Sequence, residues 1–515
     1  MLSAADVAAH NSRSSCWVIV AGRVYDVTDF LDEHPGGAQS ILRFAGRDAT
    51  EEFELIHPPG TLNSLPGGKR LGEVEPSPLP PPASTSTSSP ASETADAMAG
   101  TSSGRYSSPQ YSAATSSTSP PPPPPKTLPL AACMSLEDLA TVAAAKLSPR
   151  AAAYYHSGAE TRHARDRNRS DWSRIGLRPR VLIDVAPVPR MRTDVMGFDS
   201  SLPVFIAPAA HARFGHPDGE LCLARTAARM DIAQCVSSYA SVSAPDIAAE
   251  FRGDKHRRGG ALFFQLYVPR VKAEAAQRIA VAKAAGYEAL LVTVDAPVIG
   301  KRDDDDQYQV LAAAQGGGSE RGKDPDELPP LPGQESGGTL RAAHDATFAW
   351  SDLAWIRELW GDDKPILIKG VATAEDALLA TQQVSPEGKR LVDGIYLSNH
   401  GGRQLDYAPT AVQALLDIRR NAPEVFGILP VYVDGGVMRG TDVVKALCLG
   451  ARAVGLGRAF LYALSAFGTA GALRAVQILS DEIQTTLRLL GVADVRDLDA
   501  RYLDLSYFGV ERPKL

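Results

Sequence analysis

Disulfide chemistry is the first thing missing from this chain of 515 residues. Its five cysteines, Cys16, Cys133, Cys222, Cys235 and Cys448, are odd in number, scattered and without a C-x-x-C pair. Neither a disulfide framework nor a thiolate zinc site is indicated, and the thiols are expected to stay reduced. A strong charge of one sign is missing too: 53 Lys and Arg against 60 Asp and Glu leave a net charge of -7. That supplies no global attraction to nucleic acid or to an anionic membrane. No apolar run approaches the length of a bilayer span, so membrane insertion is not expected. Patterned sequence starts within a few residues of Met1 and leaves no room for a signal or transit peptide in this chain. A cytoplasmic location is the expectation, with the mitochondrial intermembrane space and the peroxisome as alternatives. The ending Pro513-Lys514-Leu515 is only a weak match to a peroxisomal address.

What is present divides the chain into three parts. In residues 1–75, Cys16-Trp17-Val18-Ile19-Val20, a turn at Ala21-Gly22 and Val24-Tyr25-Asp26-Val27 predict a short hairpin. Helical stretches follow, broken at His34-Pro35-Gly36-Gly37 and at His57-Pro58-Pro59. Residues 76–130 turn abruptly to Pro, Ser, Thr, Ala and Gly, with an unbroken proline run from Pro120 to Pro125. Such a stretch buries too little apolar surface to offset its ordering entropy. A disordered tether is predicted, stiffer at its polyproline end, with a span of about 40 Å for roughly 50 flexible residues.

Residues 131–515 open on a helical entry from Leu136 to Tyr155 and then alternate strand and helix signals. Apolar runs begin at Pro203, Gln234, Leu262, Ala289, Pro365, Gly394, Pro430 and Ala453, with amphipathic stretches between them. Eight such units predict a (β/α)8 TIM barrel, whose active site lies at the C-terminal ends of the strands. The polar residues fall at those ends: Gln265, Tyr267, Thr293, Asp295, Lys369, Ser398, His400, Asp434 and Arg458. His400 is suited to take a proton near neutral pH. Arg403, three residues on, offers a planar fork of donors for a carboxylate. Glycine loops after strands seven and eight, Asp434-Gly435-Gly436 with Arg439 and Gly455-Leu456-Gly457-Arg458, point to a phosphorylated cofactor. Residues 303–346 are long, acidic at the start and rich in glycine, and are read as a solvated mobile loop.

The string Ser398-Asn399-His400-Gly401-Gly402-Arg403-Gln404-Leu405-Asp406 is close to the signature of the FMN-dependent α-hydroxy acid dehydrogenases and oxidases, a family that residues from about 135 to 510 resemble. Residues 1–75 resemble a cytochrome b5 domain from end to end. The resemblance is carried by Trp17-Val18, the run from Tyr25 to Phe30, His34-Pro35-Gly36-Gly37, the run from Phe44 to Thr50, and His57. It implies a haem b held by His34 and His57 as axial ligands, which leaves no open iron site and makes the group a one-electron relay.

In the barrel the resemblance implies FMN and assigns roles. His400 is the base, Asp295 its orienting carboxylate, and Arg403, aided by Tyr154, the grip on the substrate carboxylate. Tyr267 bonds the substrate hydroxyl, Arg302 adds positive charge, and Lys369 stands at the N1 edge of the flavin. Ser237, Gln265, Thr293, Ser398 and the backbone of Pro208, Ala209 and Ala210 contact the flavin. Asp434, Gly435, Gly436, Arg439, Gly457 and Arg458 complete the cofactor site. The implied reaction oxidises a small L-2-hydroxy acid, lactate-like, to the 2-oxo acid. Electrons pass from FMN to haem b and on to cytochrome c or a similar one-electron acceptor, in a homo-oligomer, by resemblance a tetramer. The alternatives are an oxidase that hands electrons to O2 and a haem electron-transfer module with an inactive barrel. The intact His400, Arg403 and Lys369 argue against the second, and an isomerase would have no need of Arg403 beside His400.

This chain departs from the family's pattern at the pocket. Ala209 stands where many relatives have threonine, and His211 where they have Met or Leu. Tyr239 stands where lactate-preferring relatives often carry leucine and glycolate-preferring ones tryptophan. His211 and Tyr239 are each expected to set a polar tip beside the substrate side chain. An unpaired buried tip costs about 1–3 kcal/mol, so lactate is not expected to be the best substrate.

Overall fold

The computed structural model describes residues 2–31, 34, 38–50, 53, 57, 61–64, 69–74, 128–315 and 344–509. All but the last three residues of the predicted tether lie outside the described residues, as does the glycine-rich part of the predicted loop.

The predicted hairpin forms, with Ser15–Val20 antiparallel to Arg23–Asp26. Alternation along the first strand divides its side chains between two small cores. Cys16, Val18 and Val20 join Tyr25, Val27 and Leu31, against which Phe30 and Phe53 pack, while Ile19 joins Val7 and Val24 on the other face. The helix Ala4–Ala8 starts on a reciprocal capping box between Ser3 and Asp6.

The third part opens on two helices, not one. Leu136–Ala144 is capped by Ser135 and Asp138, and Pro149–His156 by Ser148 with proline in its first turn. All eight predicted strands then appear: Val204–Ile206, Ala233–Ser237, Ala261–Tyr267, Ala289–Thr293, Ile366–Val371, Gly394–Leu397, Val431–Val433 and Ala453–Leu456. They are parallel to their neighbours and the last pairs with the first, closing the barrel.

Side chains in a strand alternate with period two, so every second residue points into the barrel. The inward positions are apolar in the lower layers: Phe205, Cys235, Phe263, Leu291, Leu367, Tyr396 and Tyr432 form one buried cluster. Burying a side chain of the size of Phe263 contributes about 1.5–3 kcal/mol. The lower end is plugged by the hairpin Thr193–Val195 and Phe198–Ser200, whose Val195 and Met196 join that cluster, and the Met196 N–H donates to the Tyr432 hydroxyl at 2.9 Å. Stepping up by two residues from the apolar layer reaches Ser237, Gln265, Thr293, Lys369, Ser398 and Asp434. The same parity that fills the core therefore makes a polar upper layer.

The first part of the predicted loop is a helix, Asp303–Gln315. Four aspartates in its first turn complement the positive end of the helix dipole. Asp305 is also buried against Arg150 at 2.8 Å, and Asp304 meets Arg162 at 3.3 Å. Arg43 of the first part reaches this helix, its Nη1 donating to Gln309 Oε1 at 3.0 Å.

Among the described residues one helix, Arg458–Leu490, is long and apolar enough to cross a membrane by length and composition, which runs of apolar sequence alone did not reveal. It is a core helix: 67% of its most apolar window is buried, and Phe467 and Gly468 break its helical backbone. All five cysteines are buried free thiols.

Candidate active site

The upper layer of the barrel is a continuous set of polar contacts. Ser237 Oγ donates to Gln265 Oε1 at 3.0 Å, and Gln265 Nε2 donates to Thr293 Oγ1 at 2.9 Å. Across the barrel Lys369 Nζ donates to Ser398 Oγ at 3.0 Å, and Ser398 Oγ donates to Asp434 Oδ1 at 2.6 Å. Pro208, Ala209 and Ala210 lie half-buried just beyond the first strand.

Two residues above Thr293 and Ser398, on the same parity, stand Asp295 and His400. His400 holds a left-handed backbone, φ 59°, followed by Gly401 and Gly402 at φ 63° and 75°. A non-glycine residue in that region is strained, and strain of this kind marks functional turns. Gly402 is required there, because a Cβ would collide with the backbone of Arg165. Gly370, at φ 109°, opens space on the other side, where a Cβ would lie 2.6 Å from the Cβ of Asp295.

His400 Nδ1 faces Asp295 Oδ1 at 3.0 Å, and its Nε2 faces the Tyr267 hydroxyl at 3.0 Å. A carboxylate only accepts, so Nδ1 carries the proton; Nε2 presents a lone pair and Tyr267 donates to it. Burial pulls the His400 imidazole below the ordinary histidine value, while the Asp295 charge works upward against it. Burial tends to raise the Asp295 carboxyl, but the opposing pull of His400 and Lys369 leaves it below the usual carboxylate range. The pair is a neutral base beside an ionised carboxylate.

Arg403 stands next to this base. Its Nη1 donates to Tyr154 O and Ser157 Oγ, each at 2.7 Å, and its guanidinium lies 4.6 Å from the centre of the Tyr154 ring. Its Nη2 is buried with no hydrogen-bond partner among the described residues, a donor waiting for an acceptor. Arg302 donates to Arg403 O and Gln404 Oε1. Arg458 donates to Gly401 O and Ser157 O. Burial first, then the neighbouring guanidinium of Arg403, lowers Arg302 and Arg458 to about 10 each. Among the described residues none of these three arginines meets a carboxylate. With Lys369 they set four cations against Asp295 and Asp434, an imbalance that calls for anionic ligands.

The residues fit a flavin nucleotide. A flat polar ring has donors and acceptors to meet in the upper layer, and Lys369 supplies positive charge there. Gly457 opens the helix Arg458–Leu490, and a Cβ built on it meets nothing within 4 Å. A helix N-terminus with open space and a half-buried arginine that meets no carboxylate among the described residues suits a phosphate. Arg439 is not brought to this place: Glu482 at 2.8 Å and Glu137 at 3.1 Å consume its charge. Gly435 and Gly436 serve packing, since a Cβ on Gly436 would strike the backbone of Asn168 and Gly435 O accepts from Trp172 Nε1 at 2.9 Å.

The first part of the chain fits a haem. The His34 and His57 rings face each other with centres 5.8 Å apart. Two metal–imidazole bonds of about 2 Å, end to end, call for ring centres about 6 Å apart. His57 Nδ1 donates to Phe53 O at 3.2 Å, which would leave Nε2 to hold the iron of a bound haem, and burial favours the neutral ring.

Of the two departures at the pocket, Tyr239 behaves otherwise than expected. Its hydroxyl is hydrogen-bonded to His344 Nε2 at 3.1 Å, so it is not the unpaired polar tip that would disfavour lactate. His211 does have a buried Nδ1 without a partner among the described residues, and burial with the nearby Arg150 charge brings its imidazole down to about 4. The sequence reading missed several residues that build the site. Asn168 and Asn399 exchange two side-chain hydrogen bonds, 2.7 and 2.9 Å, and tie a helix to the His400 turn. Ser157 and Gln404 orient Arg403 and Arg302. Asn399 and Gln404 were within the quoted string; Asn168, in a run of charged residues, carried no signal.

Comparison with known proteins agrees with this geometry. The cytochrome b5-like haem/steroid binding domain matches residues 3–75, and the FMN-dependent dehydrogenase family matches residues 143–505. The L-lactate dehydrogenase (cytochrome) of Wickerhamomyces anomalus is 36% identical over 501 residues, 97% of this chain and 79% of that protein. The glycolate oxidase of Spinacia oleracea is 36% identical over 73% of this chain and 96% of its own length. The flavin-binding domain of baker's yeast flavocytochrome b2 superposes with a TM-score of 0.63 at 33% identity, covering 75% of this chain and 91% of that one. The family match, spanning well over half of the chain around His400 and Arg403, places the protein among the FMN-dependent dehydrogenases, joined here to a cytochrome b5-like haem domain.

Proposed function

We propose that this enzyme oxidises a short L-2-hydroxy acid to the 2-oxo acid and passes the electrons through FMN and haem b to a one-electron acceptor of the cytochrome c kind. The observation that carries the reading is the buried Nη2 of Arg403, without a partner among the described residues, beside a histidine whose unprotonated Nε2 accepts from the Tyr267 hydroxyl and can take a proton. Arg403 and Tyr154 bind the substrate carboxylate. Tyr267 turns its hydroxyl from His400 to the substrate oxygen, and His400 Nε2 receives the proton that leaves the substrate. Asp295 stabilises the imidazolium that results. Ser237, Gln265, Thr293, Lys369 and Ser398 hold the flavin ring, with Asp434, Gly457 and Arg458 toward its phosphate end. Bound FMN supplies a two-electron acceptor and bound haem b a one-electron carrier.

The test follows flavin and haem bands separately while the holoenzyme meets glycolate, lactate, 2-hydroxybutyrate, malate and mandelate without O2. The expected result is bleaching of flavin, then reduction of haem, then turnover with added cytochrome c. Rapid turnover with O2 in place of cytochrome c would favour the oxidase reading. A homo-oligomer belongs to the same proposal. It is supported by the apolar run Val181, Leu182 and Ile183, exposed at 80%, 102% and 50%. Light scattering of the holoenzyme reads the copy number, and a monomer would overturn that part.

The pH dependence follows from the direction of the His400 shift. The base works when neutral, so activity is present above its pKa and lost as the pH falls through it. Because burial lowers it from 6.5, the acid limb of kcat/KM is expected below pH 6.5. Asp295→Asn removes the charge that raises it, so the limb should move lower still while the rate falls. A limb above pH 6.5 in the unaltered enzyme would contradict a buried His400 as the base.

A further inference from the structure

Tyr239 follows the second barrel strand, and His344 is the first described residue after the segment 316–343. His344 is buried, 7% exposed. Its Nδ1 faces the carbonyl of Ala296 at 2.7 Å, and its Nε2 faces the Tyr239 hydroxyl at 3.1 Å. A carbonyl only accepts, so Nδ1 carries the proton, Nε2 presents its lone pair, and the phenol of Tyr239 donates. Both bonds have one possible sense.

The rings are stacked as well as bonded. His344 lies on Tyr267 with centres 4.5 Å apart and planes at 7°, and Tyr239 lies against Tyr267 at 5.2 Å and 24°. Tyr267 is the residue whose hydroxyl meets His400. Tyr239 O in turn accepts from the His211 N–H at 3.3 Å, and the His211 ring abuts Tyr154 edge-on at 5.3 Å. A wall of rings thus runs from the catalytic base to the carboxylate grip. Tyr239 is half-buried in this wall, as are Tyr154, His211 and Tyr267, while His344 behind it is buried. Swinging Tyr239 out of this wall would leave a buried imidazole nitrogen with no partner, which opposes the movement.

We infer that His344 is a positioning residue: through its hydrogen bond it holds Tyr239 across the side-chain end of the substrate pocket and so limits the enzyme to 2-hydroxy acids with short side chains. The inference rests on the 2-hydroxy acid reading above and adds to it which residue sets the length limit. His344 acts on selectivity through Tyr239 and takes no part in proton transfer.

The test compares the flavin- and haem-loaded full chain with Tyr239→Phe, His344→Ala and the double variant. It measures kcat/KM for flavin reduction by glycolate, lactate, 2-hydroxybutyrate and 2-hydroxyhexanoate. In the unaltered enzyme kcat/KM should fall with chain length beyond lactate. Each single variant should raise the ratio for 2-hydroxyhexanoate over lactate by about tenfold, the lower range for a change in an apolar pocket, and through KM of the long acid. The double variant should shift it no further than either single, because both remove one shared bond. An unchanged ratio in a cofactor-loaded single variant, multiplying effects in the double, or an unaltered enzyme that prefers the long acid would each overturn the inference. If His344→Ala does not load cofactor, Tyr239→Phe, which removes a single oxygen, decides alone. An unaltered enzyme that oxidises none of the four acids overturns both this inference and the reaction it rests on, whereas turnover with unmoved selectivity overturns this inference only.

Discussion

Replacing His400 with alanine is expected to lower the rate of flavin reduction by the substrate by about four orders of magnitude, the upper end for loss of a general acid–base group. Two losses combine. The proton acceptor goes, and Asp295 is left buried with Oδ1 newly unpaired beside an Oδ2 that already has no partner. A buried carboxylate without its hydrogen-bond donor is costly, so Asp295 should take up a proton and cease to be an anion. FMN should still bind, because the contacts of the upper layer run through Ser237, Gln265, Lys369 and Ser398 and not through the imidazole. Stopped-flow flavin reduction on the loaded variant measures the effect. A rate near that of the unaltered enzyme would remove His400 from the mechanism and with it the function proposed above.

Replacing His57 with alanine should have an equally large effect on a different step. The b-type absorption should vanish and cytochrome c reduction should collapse, since the one-electron relay is gone. Flavin reduction should stay within about twofold, because the His57 ring stacks on Phe53, which packs on an apolar core separate from that of the barrel. The hydrogen bond from Arg43 to Gln309 does not involve His57. Loss of flavin reduction together with the haem would show that the two parts do not work as separate units.

Much of the site was legible because the barrel imposes a simple rule. Polar residues at the ends of otherwise apolar strands have one place to go, and period-two alternation carries them there from the same positions that fill the core. Ser237, Gln265, Thr293, Lys369, Ser398 and Asp434 are brought together in this way, with Asp295 and His400 one step higher. Arg439 shows where that reasoning stops. A glycine loop followed by arginine reads as a phosphate site, but Glu137 and Glu482, which take its charge, come from distant segments. Residues 303–315 show the same limit from the other side. Four consecutive aspartates read as a solvated run, whereas Arg150 and Arg162, far away in sequence, make them the first turn of a packed helix.

By itself the sequence determined the three-part organisation, the eight strands and their order, and the chemistry available at the barrel's upper rim, while the pair of haem-holding histidines came from the resemblance of the first part to a cytochrome b5 domain. These follow from local composition, periodicity and motif, which need no knowledge of the partner segment. Only the tertiary structure decided which nitrogen of His400 carries the proton, that Arg403 keeps one free buried donor, and that Tyr239 spends its hydroxyl on His344. Each of these depends on a group brought within 3 Å or so by chain segments about 100 residues or more apart, and a hydrogen bond's strength and sense are set by such distances and not by residue type.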